Sequence, residues 1–259
     1  MSRTDALYDK HALFINSALL AAHANNKDGF RQKDVKFYIE LLTNWMETSF
    51  KDFGLEVQNT QVQRILKTLN EEGVLKEGTE NGRPVYWFTS VGLLEITTRL
   101  VSDDSLFDLH NFYFLFHMVM MYSSKMEEQL FSQRGSLPKS YQLEIKHLLN
   151  PKNLIERQTQ RVNKEINKLR DRIDEAYKMS EVAEDMMKKE KPISEIILKI
   201  ETMYPYQLNN QKKMSELFKS LSPDVQYIEI TEAPKLRAKT LWEPLLREYV
   251  NYLENVSKL

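Results

Sequence analysis

The sequence predicts a mostly α-helical protein with one β-hairpin in its first hundred residues. Three observations predict it. Apolar residues recur three and four apart along most of the 259 residues. Only 7 Gly and 8 Pro are present, too few for the many turns of a β-sandwich. Between 153 and 189, apolar positions alternate four and three apart for over four heptads, as in a coiled-coil seam.

The elements follow in order. Residues 5–25 carry Leu7, Phe14, Ala18, Ala21 and Ala22 at helical spacing, and 25–29 read as a stop and turn. A second helix over 33–50 carries Val35, Ile39, Leu42, Trp45, Met46 and Phe50. Leu55-Glu56-Val57 is short and extended. The third helix, 60–72, has Asn59 or Thr60 as N-cap and Thr60-x-x-Gln63 as a capping box. It would bury Val62, Ile65, Leu66 and Leu69 and stop at Gly73. Val74 to Glu77 and Val85 to Phe88 read as two strands joined by the turn-rich 78–82, giving a hairpin with a loose tip. Thr89 or Ser90 caps a further helix with Leu93, Leu94, Ile96 and Leu100.

Three helices followed by a hairpin is the winged helix-turn-helix order. Its logic is mechanical: one apolar stripe holds the 60–72 helix on the core, so the opposite face is free to enter a DNA major groove. That face offers Asn59, Thr60, Gln61, Gln63, Arg64, Lys67, Thr68 and Asn70, with Lys76 and Arg83 near the wing. Gln and Asn pair with adenine, Arg with guanine, and Lys with phosphates. The same residues would also suit an ordinary solvated face. Residues 1–100 hold 12 basic and 13 acidic residues. Phosphate neutralisation supplies much of DNA affinity, so DNA binding by this region requires a dimer to double the contacts.

Leu66-x-x-Leu69-x-Glu71-Glu72-Gly73-Val74-Leu75, followed by Gly82-Arg83-Pro84-Val85-Tyr86-Trp87-Phe88-Thr89-x-x-Gly92, resembles the recognition-helix-to-wing signature of PadR-like winged-helix transcription regulators. The match is close over about thirty-five residues and looser over about ninety. Gly29-Phe30 stands where that family often has Gly-Tyr, and 49–59 is a loop-rich insertion. The resemblance implies a homodimer that binds double-stranded DNA through the 60–72 helix and the 76–88 wing, with a dimer arm formed by the helices after the wing.

Beyond residue 101 the composition changes. Residues 106–130 form a strongly apolar helix, 132–140 a turn, 141–149 a short helix, and 153–189 the long charged helix. One seam position holds Ile155, Val162, Leu169, Ala176 and Ala183. The other holds Thr159, Ile166, Ile173, Ser180 and Met187. The expected dimer contacts are Leu106, Phe112, Phe116, Ile155, Val162, Ile166, Leu169 and Ile173. A long helix packed inside its own subunit would show the same pattern. Helices are expected at 193–203 and 207–221, a β-rich stretch at 225–230, a loop at 231–234, and a closing helix from Glu243-Pro244. The domains expected are 1–101, a helical arm 102–190, and an extension 191–259 that runs past the usual end of a PadR-like arm.

Chemistry is sparse. There is no Cys, which excludes disulfides, thiolate metal sites and Cys nucleophiles. No Gly-x-Ser-x-Gly, phosphate-cradling loop or His-Glu-x-x-His is present, so neither an enzyme nor a cofactor is expected. His110 and His117 lie seven apart with Asp108 nearby; without further ligands they read as core or interface residues. Phe107, Phe112, Tyr113, Phe114, Phe116 and Tyr122 would pack a core or line a small-molecule effector pocket. The first ten residues lack a signal peptide's basic start and apolar run, and no stretch suits a membrane span, so a cytoplasmic protein is expected. The alternative function is a winged-helix protein–protein interaction or scaffold module, which the balanced charge of 1–100 favours.

Overall fold

Arg3–Lys10 (α1) and Ala12–Asn25 (α2) open the chain as two helices, broken at His11, where one continuous helix is expected. The structure is a computed structural model and describes residues 3–26, 28–49, 55–132, 137–203 and 220–259. The chain divides into two compact units, 1–158 and 159–259, so the division falls inside the long helix, not at 101 or 190.

In the first unit α2 is the central rod. Every residue from 13 to 24 is buried, because apolar side chains cover all its faces. Gln32–Ser49 (α3), Ser90–Ser102 (α5) and Leu109–Ser132 (α6) pack around it. The α3 stripe of Val35, Ile39, Leu42 and Met46 is buried as its spacing predicts. Asn59–Glu71 (α4) follows α3 and packs against it. A 3-10 turn, Asp104–Phe107, precedes α6, so the apolar helix expected from 106 starts at Leu109. Lys139–Leu148 (α7) and the first turns of Pro151–Lys188 (α8) complete the unit. Asn150 caps α8 through its Oδ1, which accepts from the Lys152 N–H at 3.0 Å, with Pro151 beside it in the first turn. The Gln158 side chain donates to the Leu106 carbonyl at 2.8 Å.

Leu75–Glu80 (β1) and Arg83–Phe88 (β2) pair antiparallel, from Leu75 opposite Phe88 to Glu80 opposite Arg83. The tip is tight rather than loose: two residues, Asn81 and Gly82, turn the chain with φ of 51° and 74°. Positive φ at both central residues matches the right-handed twist of the strands. Leu55-Glu56-Val57 forms no strand, although Leu55 and Val57 are buried. The third extended partner is instead Phe30, between α2 and α3, which exchanges two 2.8 Å backbone hydrogen bonds with Tyr86.

In the second unit α8 continues with Val162, Ile166, Leu169, Ala176, Ser180 and Ala183 buried along one face. Ile193–Met203 (α9) falls where expected. Pro223–Arg237 (α10), a π-helical segment Ala238–Trp242, and Glu243–Val256 (α11) follow without a loop. Ile230 of α10 packs with Ala183, Ile196 and Ile200, flanked by Met179, Met186 and Met187. The β-rich stretch and loop expected over 225–234 are therefore helix. The β-rich composition of Val225, Tyr227, Ile228 and Ile230 suggests a strand, but Pro223 and Asp224 start a helix and the buried face is Ile230, Thr231 and Pro234. Glu243-Pro244 does begin α11, though from the π segment. The Glu243 N–H reaches the Ala238 carbonyl five residues back, a wider turn beside a proline that has no N–H to give Thr240.

The helix expected at 207–221 lies almost wholly among residues 204–219, outside those described, as do Tyr204, Pro205, Tyr206 and Gly135. Among the described residues no helix is long and apolar enough to cross a membrane.

Candidate nucleic-acid interface

Four apolar residues, Val62, Ile65, Leu66 and Leu69, fasten α4 to the first unit, each 4% exposed or less. Their spacing leaves Asn59, Thr60, Gln63, Arg64, Lys67 and Thr68 exposed. The N-cap is Gln58, not Asn59 or Thr60, and the box is closed by Gln61. Its Oε1 accepts the Gln58 N–H at 2.7 Å. That bond engages the acceptor Gln61 would need to pair bidentately with adenine, so its cap role competes with the base-reading role expected for it. The far end of α4 closes at Gly73, where the Val74 N–H returns to the Leu69 carbonyl at 2.9 Å.

Two polar ties hold neighbouring elements beside α4. The Gln32 side-chain amide donates to the Asn59 carbonyl at 2.6 Å, joining the start of α3 to the start of α4. The Arg31 guanidinium pairs with Glu80 at 2.7 Å, joining the start of α3 to the hairpin tip. These two residues are not expected in the site, because an apolar helical pattern does not mark the polar residue before a helix or the first one in it. The only local sign is Asp34, whose carboxylate accepts the Arg31 N–H at 2.8 Å.

The hairpin base is fixed from behind. The Thr89 Oγ1 accepts the Gly92 N–H at 2.9 Å and donates to the Gly73 carbonyl at 2.8 Å. A Cβ at Gly92 would stand 2.0 Å from the Val74 carbonyl oxygen. The Thr-x-x-Gly spacing thus has a plain cause: α5 can back onto β1 this closely only through a glycine. Lys76 and Arg83 are exposed on the hairpin. Glu77, opposite Tyr86, pushes the tyrosine hydroxyl's pKa up, second to burial.

The charges around α4 are mixed. Lys67 lies 3.7 Å from Glu71, both exposed, and such a pair is worth little. Behind α4, facing α1 and α5, lies a cavity of about 390 Å³ lined by Tyr8, Ile65, Thr68, Leu69, Glu72 and Arg99, among others. Arg99 bridges Glu95 and Glu72 there, the latter at 3.7 Å. Burial raises the Tyr8 pKa, against the pull of Arg99, and its hydroxyl donates to Asn16 at 2.7 Å. This cavity is not legible in the sequence, since its lining comes from three helices.

Six of the eight residues expected to hold a dimer are covered by the chain itself. Leu106 and Phe112 are fully buried and Phe116 is 8% exposed, all in the core of the first unit. Val162, Ile166 and Leu169 are buried in the second unit, and Ile173 is half-buried. At the start of α8 the buried residues are Leu154 and Gln158, while Ile155 and Thr159 are half-buried, so the heptad stripe shifts by one position there. The buried positions Leu154, Gln158, Val162 and Ile166 are four apart each time, so the stripe drifts around the helix there instead of keeping the four-three alternation. His110 and His117 are exposed, not core residues. His110 lies 3.6 Å from Asp108, and His117 meets the Trp45 ring edge-on. Phe112, Phe114 and Phe116 pack the core.

No family model matches the chain, and no curated protein or solved structure matches it.

Proposed function

We propose that residues 11–102 act as a winged helix that binds double-stranded DNA, with α4 in the major groove and the β1–β2 hairpin as wing on adjacent backbone. On this reading the protein is a PadR-like transcription regulator working as a homodimer. The observation that carries the reading is the exposed polar face of α4. Asn59, Thr60, Gln63, Arg64 and Lys67 are exposed together on a helix whose other face is locked into the core. Arg64 and Gln63 read bases; Lys67, Lys76 and Arg83, joined by Arg31, meet phosphates.

Selection from a random duplex pool with the full chain, followed by anisotropy on the enriched sequence, tests it. Arg64→Ala weakens binding by about 1–3 kcal/mol and relaxes preference at one base pair. A pool that stays unenriched at low salt contradicts the proposal.

A second reading is a winged-helix module that docks on protein. It is favoured by the balanced charge of residues 1–100 and by the four carboxylates Glu71, Glu72, Glu77 and Glu80 beside the candidate face. Duplex that fails to bind, with α4 variants losing a protein partner in its place, supports this reading.

A further inference from the structure

The cavity behind α4 measures about 390 Å³, and pockets that hold small ligands start at about 300 Å³. The chain leaves this space open although α1 packs against α4. Part of its lining is apolar, from the buried side chains of Ile65 and Leu69. Tyr8 adds an aromatic ring and Thr68 a hydroxyl. The charges are unequal. Among the described residues Arg99 is the only base in the lining, against two acids, Asp9 and Glu72. The Arg99 guanidinium is already committed, since it touches Glu95 one turn back on α5 and faces the Tyr8 hydroxyl. Its contact with Glu72 is looser, at 3.7 Å.

With Glu95 offsetting Arg99, the carboxylates of Asp9 and Glu72 leave the cavity net negative. An entering anion meets two like charges and an arginine whose charge is already matched. An entering cation meets carboxylate oxygens with lone pairs to spare, and an aromatic ring. We propose that this cavity binds a small organic cation, an amine carried on one apolar ring or a short branched chain. Glu72 accepts the ammonium in place of its loose contact with Arg99, and Asp9 adds negative potential. The apolar body lies on Ile65 and Leu69. Both halves are needed. An exposed carboxylate alone holds an ammonium weakly in water, and apolar area removed from water supplies the rest of the affinity. Ile65, Thr68, Leu69 and Glu72 all belong to α4, so the ligand touches the helix that presents Arg64 and Lys67.

The site needs no DNA and is tested without it. Ligand-observed NMR and calorimetry on the full chain use 2-phenylethylamine, cyclohexylmethylamine and isoamylamine, each beside the carboxylate of matching shape. The amines bind with dissociation constants of about 1 mM or below, as suits ligands of roughly ten non-hydrogen atoms, and the carboxylates bind about tenfold more weakly or worse. Glu72→Gln weakens the amines about fivefold, the worth of an exposed ion pair. Thr68→Trp fills the cavity from an exposed position and abolishes binding. Both variants keep the helical circular dichroism of the parent. No amine binding by the parent at millimolar concentration overturns the proposal. So do carboxylates that bind as tightly as the amines, or amine binding that both variants leave intact. With no duplex present, each of these results leaves the DNA reading to its own test.

Discussion

His23 sits at the end of α2 with its ring edge-on to Phe88 and Phe30, centroids 5.1 and 6.4 Å away, and is 1% exposed. Burial lowers its pKa to about 4, from an ordinary 6.5. The neutral imidazole is the form the fold accepts. Above pH 6.5 neither state holds the proton and nothing is lost. Between pH 6.5 and 4 the unfolded chain takes a proton that the folded chain refuses, so stability falls as pH drops, by about 3 kcal/mol in all. His11, lowered by burial and then by Lys10, adds in the same direction. Denaturant unfolding measured from pH 7 to 4 shows that decline, and His23→Phe flattens most of it. At Gly92 the expectation is steric. Alanine there drives a methyl into the Val74 carbonyl, and the cost reaches about 3 kcal/mol or more, read as a lowered denaturation midpoint.

At the scale of elements, α4 was legible in the sequence because nothing competed with its pattern. Val62, Ile65, Leu66 and Leu69 are the four residues buried. Thr89 was legible as a cap for the same reason. The α4 cap lies one or two residues before the expected Asn59 or Thr60, since Gln is a rare N-cap and Thr60-x-x-Gln63 imitates the spacing that Gln58-x-x-Gln61 uses. The hairpin tip was misread because five turn-forming residues in a row hide the two, Asn81-Gly82, that make the turn. Over 225–230 the β-branched and aromatic composition points to a strand, and packing decides otherwise. Ile230 is 7% exposed against Ala183, Ile196 and Ile200. Truncating it to alanine therefore costs about 2–4 kcal/mol in the second unit, while Val225→Ala, at 41% exposure, costs little.

For the whole molecule, the mostly helical class and its one hairpin could be read from periodicity, and partners could not. The heptad pattern in α8 specifies that one face is covered, without specifying by what. Val162, Ile166 and Leu169 turn out to be covered by the same chain. What remains exposed on α4 is a polar face, which carries the DNA reading. That reading needs a dimer, since a first hundred residues with 12 basic and 13 acidic groups gains phosphate contacts only by doubling. The most direct measurement is therefore the salt dependence of duplex binding by the full chain on its selected sequence. The account predicts that log affinity falls linearly with log salt, and that Lys67→Ala flattens the slope by about two in a dimer, one per copy. Binding whose slope ignores Lys67 and Arg83 alike, or no binding at about 50 mM salt, contradicts it.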